Sequence, residues 1–253
     1  MISTGHAHYL DVGKTASSFI EAQLKNLGCK LTSNRHVGLK GPINKDELYF
    51  CTLRNPYKYW ISHLNYSKKT NGQIYNFVRN KKFLSLYEYV KIINEDRHDL
   101  PETNHGYALN QAWKNMPETM GMLTCHYILY LDSNFLKQKR TESEVEEWFD
   151  NHWFKPNSNM VSLNTDNLVY DFCDMVEKHI DKFNVDPNKI EKLRLKEERN
   201  NTHTNNEKKH KIEIKDYADR YLNLNDEQRD RTVKMITHYE RLIVRHFNYK
   251  APV

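Results

Sequence analysis

Between residues 6 and 53 the sequence alternates short β-rich runs with one helical pattern, and this alternation constrains the fold more than any other feature. "HAHYLDV" (6–12) reads as a strand, residues 13–18 as a turn of small side chains, and "SSFIEAQLKNLG" as a helix. Phe19, Ile20, Leu24 and Leu27 recur at helical spacing, and Gly28 stands where a helix-terminating glycine belongs. "CKLTSNRHV" (29–37) reads as a second strand and "LYFCTL" (48–53) as a short apolar third. Strand, helix, strand predicts an α/β fold with a central parallel sheet flanked by helices. Ligands of such sheets bind at the carboxyl ends of the strands. Lys14, His36 and Arg54 all fall at such ends.

Beyond Pro56 the pattern is helical through Tyr66 and again over 84–95. Residues 101–118 are mixed and are expected to lie over the rim of the sheet. "TCHYILYL" (124–131) reads as a fourth strand, 143–154 as a short helix, "MVSLNT" (160–165) as a fifth strand and 167–180 as an amphipathic helix. From 188 to 216 the chain is dominated by Lys, Glu, Asn and His, and "EERNNTHTNNEKKHK" reads as an exposed loop. Residues 226–247 close the chain as a helix with Val233, Ile236, Ile243 and Phe247 on one face. There is no internal repeat and no linker, so a single domain over 1–253 is expected.

A chain of 253 residues can bury a substantial core, and 38% hydrophobic with 28% charged residues is a globular composition. No run reaches the roughly 18 apolar residues of a membrane span. "MISTGHAHYL" lacks the basic and apolar regions of a secretory signal. Cys29, Cys51, Cys125 and Cys173 form no CxxC, and the first three lie in strand-like runs, where a free cysteine acts as a small apolar residue. A reducing, cytoplasmic setting is the expectation. The net charge of +5 favours an anionic ligand but is too diffuse for nucleic acid.

Gly13-Lys14-Thr15 resembles the end of a triphosphate-binding loop, but such a loop needs a glycine five residues earlier, where His8 stands inside the strand. The magnesium-binding aspartate at the end of a neighbouring strand is replaced by Arg54, whose planar fork of donors suits an anion directly. The expected site is therefore cationic and metal-free, which disfavours a kinase or triphosphatase. His6 and His8 share one strand face without a third ligand nearby, so a structural role is expected for them. What remains, Lys14 to Ser18, is a small-residue turn leading into a helix, where backbone N–H groups and the helix dipole favour a phosphate. In "LRNPYKYWISHLNY" (53–66), Arg54 ends a strand, Asn55-Pro56 turns the chain and a helix carries Ser62.

These two segments resemble the sulfotransferases that use 3′-phosphoadenosine 5′-phosphosulfate. Their first loop reads approximately Lys-[Thr/Ser]-[Gly/Ala]-[Gly/Ser/Thr]-[Thr/Ser], matched by Lys14 to Ser18; their second motif, Arg-[Asp/Asn]-Pro with a serine eight residues after the arginine, is matched by Arg54-Asn55-Pro56 and Ser62, with Tyr66 following. The match is strong over 8–66. Further on, "NTDNLVYDF" (164–172) is similar to a segment of the carbohydrate branch, and Asn201-Thr202 to a late Asn-x-[Ser/Thr] region that helps enclose the nucleotide. The commoner proline before the lysine is absent, since Val12-Gly13 stands there.

The resemblance implies a P-loop-containing nucleotide hydrolase-like sulfotransferase fold, with a carbohydrate hydroxyl as acceptor and no metal. It implies that Lys14 stabilises the leaving group, that Thr15, Ala16, Ser17 and Ser18 hold the 5′-phosphate, and that Arg54 and Ser62 hold the 3′-phosphate. Phe19 stands where an aromatic lies near the adenine in some relatives, and a core role suits it equally. "RHV" with the following strand resembles the heparan uronosyl 2-O-sulfotransferases, which makes His36 the candidate base and His105 the reserve. Two rivals stay open: a kinase with a degenerate loop, and a non-catalytic nucleotide- or glycan-binding domain of the same fold.

Overall fold

The computed structural model describes residues 1–13, 15–33, 38–39, 43–70, 85–99, 107–152, 159–202 and 224–251. The chain divides into two compact units, Met1–Arg54 with Phe154–Ile214, and Asn55–Trp153 with Lys215–Val253.

The first unit is α/β. Strands β1 (Ile2–Ser3), β2 (Ala7–Leu10), β3 (Thr32–Ser33), β4 (Leu48–Leu53) and β5 (Met160–Asn164) form one sheet in the order β3-β1-β2-β4-β5. β2, β4 and β5 run parallel, with Ala7 opposite Leu48 and Tyr49 opposite Met160. β4 is buried at all six positions, as a central strand covered on both faces must be. Ala7 and Tyr9, Leu48 and Phe50, and Val161 and Leu163 alternate onto one face. There they meet α1 (Ser17–Asn26) through Ile20 and Leu24, α7 (Leu168–Lys178) through Phe172 and Val176, α8 (Ile180–Phe183) through Phe183, and α9 (Pro187–Thr202) through Ile190. Gly28 ends α1 in the left-handed region at φ +88°, as the sequence predicts.

Two expectations fail here. Of the strand expected over 29–37, residues 29–31 are not in a strand, Thr32–Ser33 pairs antiparallel to β1 at the sheet edge, and 34–37 lie outside the described residues. The parallel neighbour of β2 is β4. The loop expected over 197–211 is instead helical as far as Thr202, and 203–211 lie outside the described residues. Pro187 suits a first helical turn, its Lys, Glu and Arg residues are good helix formers, and Ile190 and Leu193 anchor one face in the core.

In the second unit, α2 (Pro56–Thr70), α3 (Leu86–Glu95) and α10 (Asp226–Tyr239) pack together, α4 (Tyr107–Asn115) packs on α5 (Met122–Leu131), and α6 (Glu142–His152) and α11 (Arg241–His246) complete the described α-helices, beside two 3-10 turns at Arg97–Asp99 and Phe135–Lys137. The strand expected over 124–131 is α5. Nine of its ten residues are buried, so it carries no amphipathic period, and a short run that is apolar all round reads equally as strand or buried helix. Cys125 accordingly lies on a helix, although it is fully buried as expected. The mixed segment contains α4, and the expected closing helix breaks at Glu240 into α10 and α11. All four cysteines are free. Among the described residues no helix is long and apolar enough to cross a membrane.

Candidate functional site

The turn after β2 is built from below. Val12 N–H donates to Leu10 O at 2.8 Å, which ends the strand, and Thr15 Oγ1 donates back to Val12 O at 2.7 Å. Thr52, on β4, donates to the Thr15 carbonyl and lies 2.8 Å from Thr15 Oγ1. The Tyr9 hydroxyl meets Thr52 Oγ1 at 2.8 Å. Tyr9, Thr15 and Thr52 are all fully buried. Burial holds the Tyr9 phenol far above its ordinary range, partly offset by hydrogen bonds to Thr52, Ser17 and Thr15, so it remains a neutral hydroxyl.

Ala16 follows at φ 80° and ψ 26°, a left-handed conformation that costs a non-glycine residue about 1–2 kcal/mol. Its carbonyl accepts from Phe19 N–H at 3.0 Å and Ile20 N–H at 3.2 Å, which starts α1. Its N-cap residue, Ala16, contributes no side-chain cap. A left-handed residue ahead of a helix turns successive N–H groups toward one concavity, the arrangement that suits an anion. Ser17 is half-buried and Ser18 exposed; Phe19 is half-buried and packs against the hydrophobic cluster of the first unit.

Arg54 stands directly after β4 and is half-buried. Asn55 then opens α2: its carbonyl accepts from Tyr59 N–H and its Oδ1 from Tyr57 N–H, both at 2.9 Å. Ser62 lies in the second turn of α2, half-buried. Arg54 closes the first unit and Ser62 belongs to the second. Lys14, His36 and His105 lie outside the described residues. Asn201 and Thr202 are the last residues of α9 and so sit on a helix end, not in a loop.

His8, read as structural, is held on both sides: Nδ1 lies 2.7 Å from Ser3 Oγ, Nε2 lies 3.0 Å from Glu47, and its ring stacks on Tyr49. Among the described residues no group of three His, Cys, Asp or Glu side chains could hold a metal.

The second unit holds a polar cluster of another kind. Glu240 is fully buried, and its carboxylate accepts from Leu123 N–H (3.0 Å), Thr124 N–H (2.9 Å) and Thr124 Oγ1 (2.7 Å) at the start of α5. Burial raises its pKa, and the hydrogen bonds from Thr124 and Leu123 oppose that rise without cancelling it. A Cβ at Gly121 would overlap this carboxylate. Arg97, also buried, donates to the carbonyls of Asn94, Pro117, Glu118 and Met120 and lies over the Trp113 ring. It lines a 230 Å³ cleft with Glu95, His98, Glu118 and Tyr239.

The sequence reading missed Tyr9 and Thr52. Their only sequence signals are a threonine near the end of an otherwise apolar strand and a tyrosine on the core face of its neighbour. Compared with models of protein families, with curated proteins and with solved structures, the chain matches none.

Proposed function

We propose that this chain is a sulfotransferase that moves a sulfuryl group from 3′-phosphoadenosine 5′-phosphosulfate to a hydroxyl of a carbohydrate acceptor. The observation that carries this reading is the turn itself. Residue for residue it follows the family's first loop, and Ala16, at the loop's Gly/Ala position, is left-handed at the start of α1.

Thr15 to Ser18 hold the 5′-phosphate through their N–H groups, with the Ser17 and Ser18 hydroxyls as further donors. Arg54 and Ser62 hold the 3′-phosphate, the group that separates this donor from ATP or ADP. His36 takes the proton of the acceptor hydroxyl as its oxygen bonds to sulfur. The bond from sulfur to the bridging oxygen breaks in line, and the Lys14 ammonium stabilises the charge that develops on that oxygen. The products are the sulfate ester and 3′-phosphoadenosine 5′-phosphate, and no step needs a metal. Asn201 and Thr202 close over the nucleotide, and Phe19 supports the turn from the core side.

Thermal unfolding with 3′-phosphoadenosine 5′-phosphate, adenosine 5′-phosphate or ATP with magnesium tests this. A ligand at a hundred times its Kd adds about 2.7 kcal/mol. In a chain of this size that raises the midpoint by roughly 5 to 10 °C. The bisphosphate is expected to give the largest shift, and Lys14→Ala to abolish transfer while leaving most of that shift. A shift with ATP and magnesium alone selects the kinase. A shift with the bisphosphate, but no transfer to any glycan by the wild-type chain, selects a binding domain.

A further inference from the structure

We propose that Thr52 is a positioning residue of the donor site, setting the direction in which the turn presents its N–H groups. The inference rests on the sulfotransferase reading and extends it to a side chain outside both motifs. Thr15 spends its hydroxyl proton on Val12 O, so the proton in its contact with Thr52 is Thr52's. Thr52 directs that proton to Thr15, whose carbonyl it meets, and the Tyr9 hydroxyl supplies the proton between Tyr9 and Thr52. The Thr15 carbonyl is thereby drawn toward β4.

The described residues contain no cis peptide bond, and in a trans peptide the carbonyl and the following N–H point in opposite directions. Ala16 N–H therefore faces away from β4. The next peptide is set in the same way, because the Ala16 carbonyl is turned into α1 by Phe19 and Ile20 N–H, which turns Ser17 N–H out of the helix start. Two consecutive donors thus face outward, one directed by Thr52 and the other by the helix. The network is fully buried, and Tyr9 stays a hydroxyl, so the arrangement holds across the working pH range.

The test measures Kd for 3′-phosphoadenosine 5′-phosphate, adenosine 5′-phosphate and adenosine 3′-phosphate by calorimetry, on wild type, Thr52→Val, Thr52→Ser and Tyr9→Phe. Thr52→Val is expected to weaken both 5′-phosphorylated ligands by the same factor, about tenfold, the loss of one well-aimed charge-assisted hydrogen bond. Binding of adenosine 3′-phosphate should be unchanged, Thr52→Ser should restore wild-type affinity, and Tyr9→Phe should give a smaller loss with the same ligand pattern. The Ala16 amide proton resonance should shift on adding adenosine 5′-phosphate to wild type and shift less in Tyr9→Phe. Equal losses for all three ligands, or no loss for any, would overturn the role of Thr52. If Thr52→Val does not fold, Tyr9→Phe and the Ala16 resonance decide in the same directions. A wild-type chain that binds adenosine 5′-phosphate as tightly as the bisphosphate sinks the sulfotransferase reading while leaving Thr52 to be judged on the 5′-phosphate alone. A wild-type chain that binds none of the three overturns both.

Discussion

Helices α1 and α5 both begin without a cap from their own N-cap side chain, and they differ in what surrounds the start. α5 starts after Gly121, and its N–H groups at Leu123 and Thr124 are filled by the Glu240 carboxylate, more than a hundred residues further along the chain. α1 starts after the left-handed Ala16, which contributes no side-chain cap to its first N–H groups. The positive end of a helix favours an anion in both cases. In α5 the protein supplies the anion internally and buries it completely; at α1 Ser18 stays exposed. One start is a finished structural joint, and at the other a donor phosphate is proposed to bind.

Removing the internal anion is the largest way to break this contrast. Glu240→Ala strands two N–H groups and a hydroxyl in the interior, and is expected to cost about 3–5 kcal/mol in urea unfolding. A loss under about 1 kcal/mol would mean that α5 does not depend on Glu240 for its cap. Gly121→Ala attacks the same joint from the other side by pushing a methyl group into the carboxylate. An overpacking cost of about 1–3 kcal/mol is expected by the same measurement, and a neutral result would show that the carboxylate can shift freely.

Titration sharpens the comparison further. The pKa of Glu240 in the folded chain lies above the ordinary glutamate value of 4.5, with burial as the main cause. The folded state therefore holds this proton more tightly than the unfolded one. The stability it contributes is full below pH 4.5 and is lost as pH rises through the folded pKa. Urea midpoints across pH 4 to 8 should show this decline in wild type and a flatter profile in Glu240→Gln. Identical profiles would remove Glu240 as its source. The smallest effect is expected at the start of α1. Ala16→Gly relieves the left-handed strain against a higher unfolded-state entropy, for a net gain of about 0.5–1 kcal/mol. A loss instead would contradict the left-handed turn on which the donor site rests.

Much of the first unit was legible because its signals are local. The period of two in β2 and β5 and the helical spacing of α1 and α7 lie within each segment, as does Gly28 at the end of α1. The small-residue run before α1 and the Arg-Asn-Pro turn before α2 could likewise be read from residue types and spacing alone. The failures have non-local causes. Residues 124–131 are apolar on every side, and only their burial within the second unit with Glu240 over the first turn makes them a helix. Residues 29–33 have strand composition, but the edge beside β1 engages Thr32 and Ser33 and leaves 29–31 outside the sheet. α9 reads as polar, and what orders it is Ile190 and Leu193 in the core together with Arg194 paired to Asp174 and Glu177 of α7.

The sequence by itself determined the alternation of strand and helix in the first third, the residues of the small turn and the order of its two motifs, because each depends on neighbours a few positions away. Tertiary structure decided that Thr52 and Tyr9 support that turn and that Glu240 completes α5. Those partners lie 37 residues from Thr15, 43 residues from Thr52 and 116 residues from Thr124 along the chain. A hydrogen bond between buried groups so far apart exists only once the fold has brought them together and excluded the water that would otherwise satisfy them.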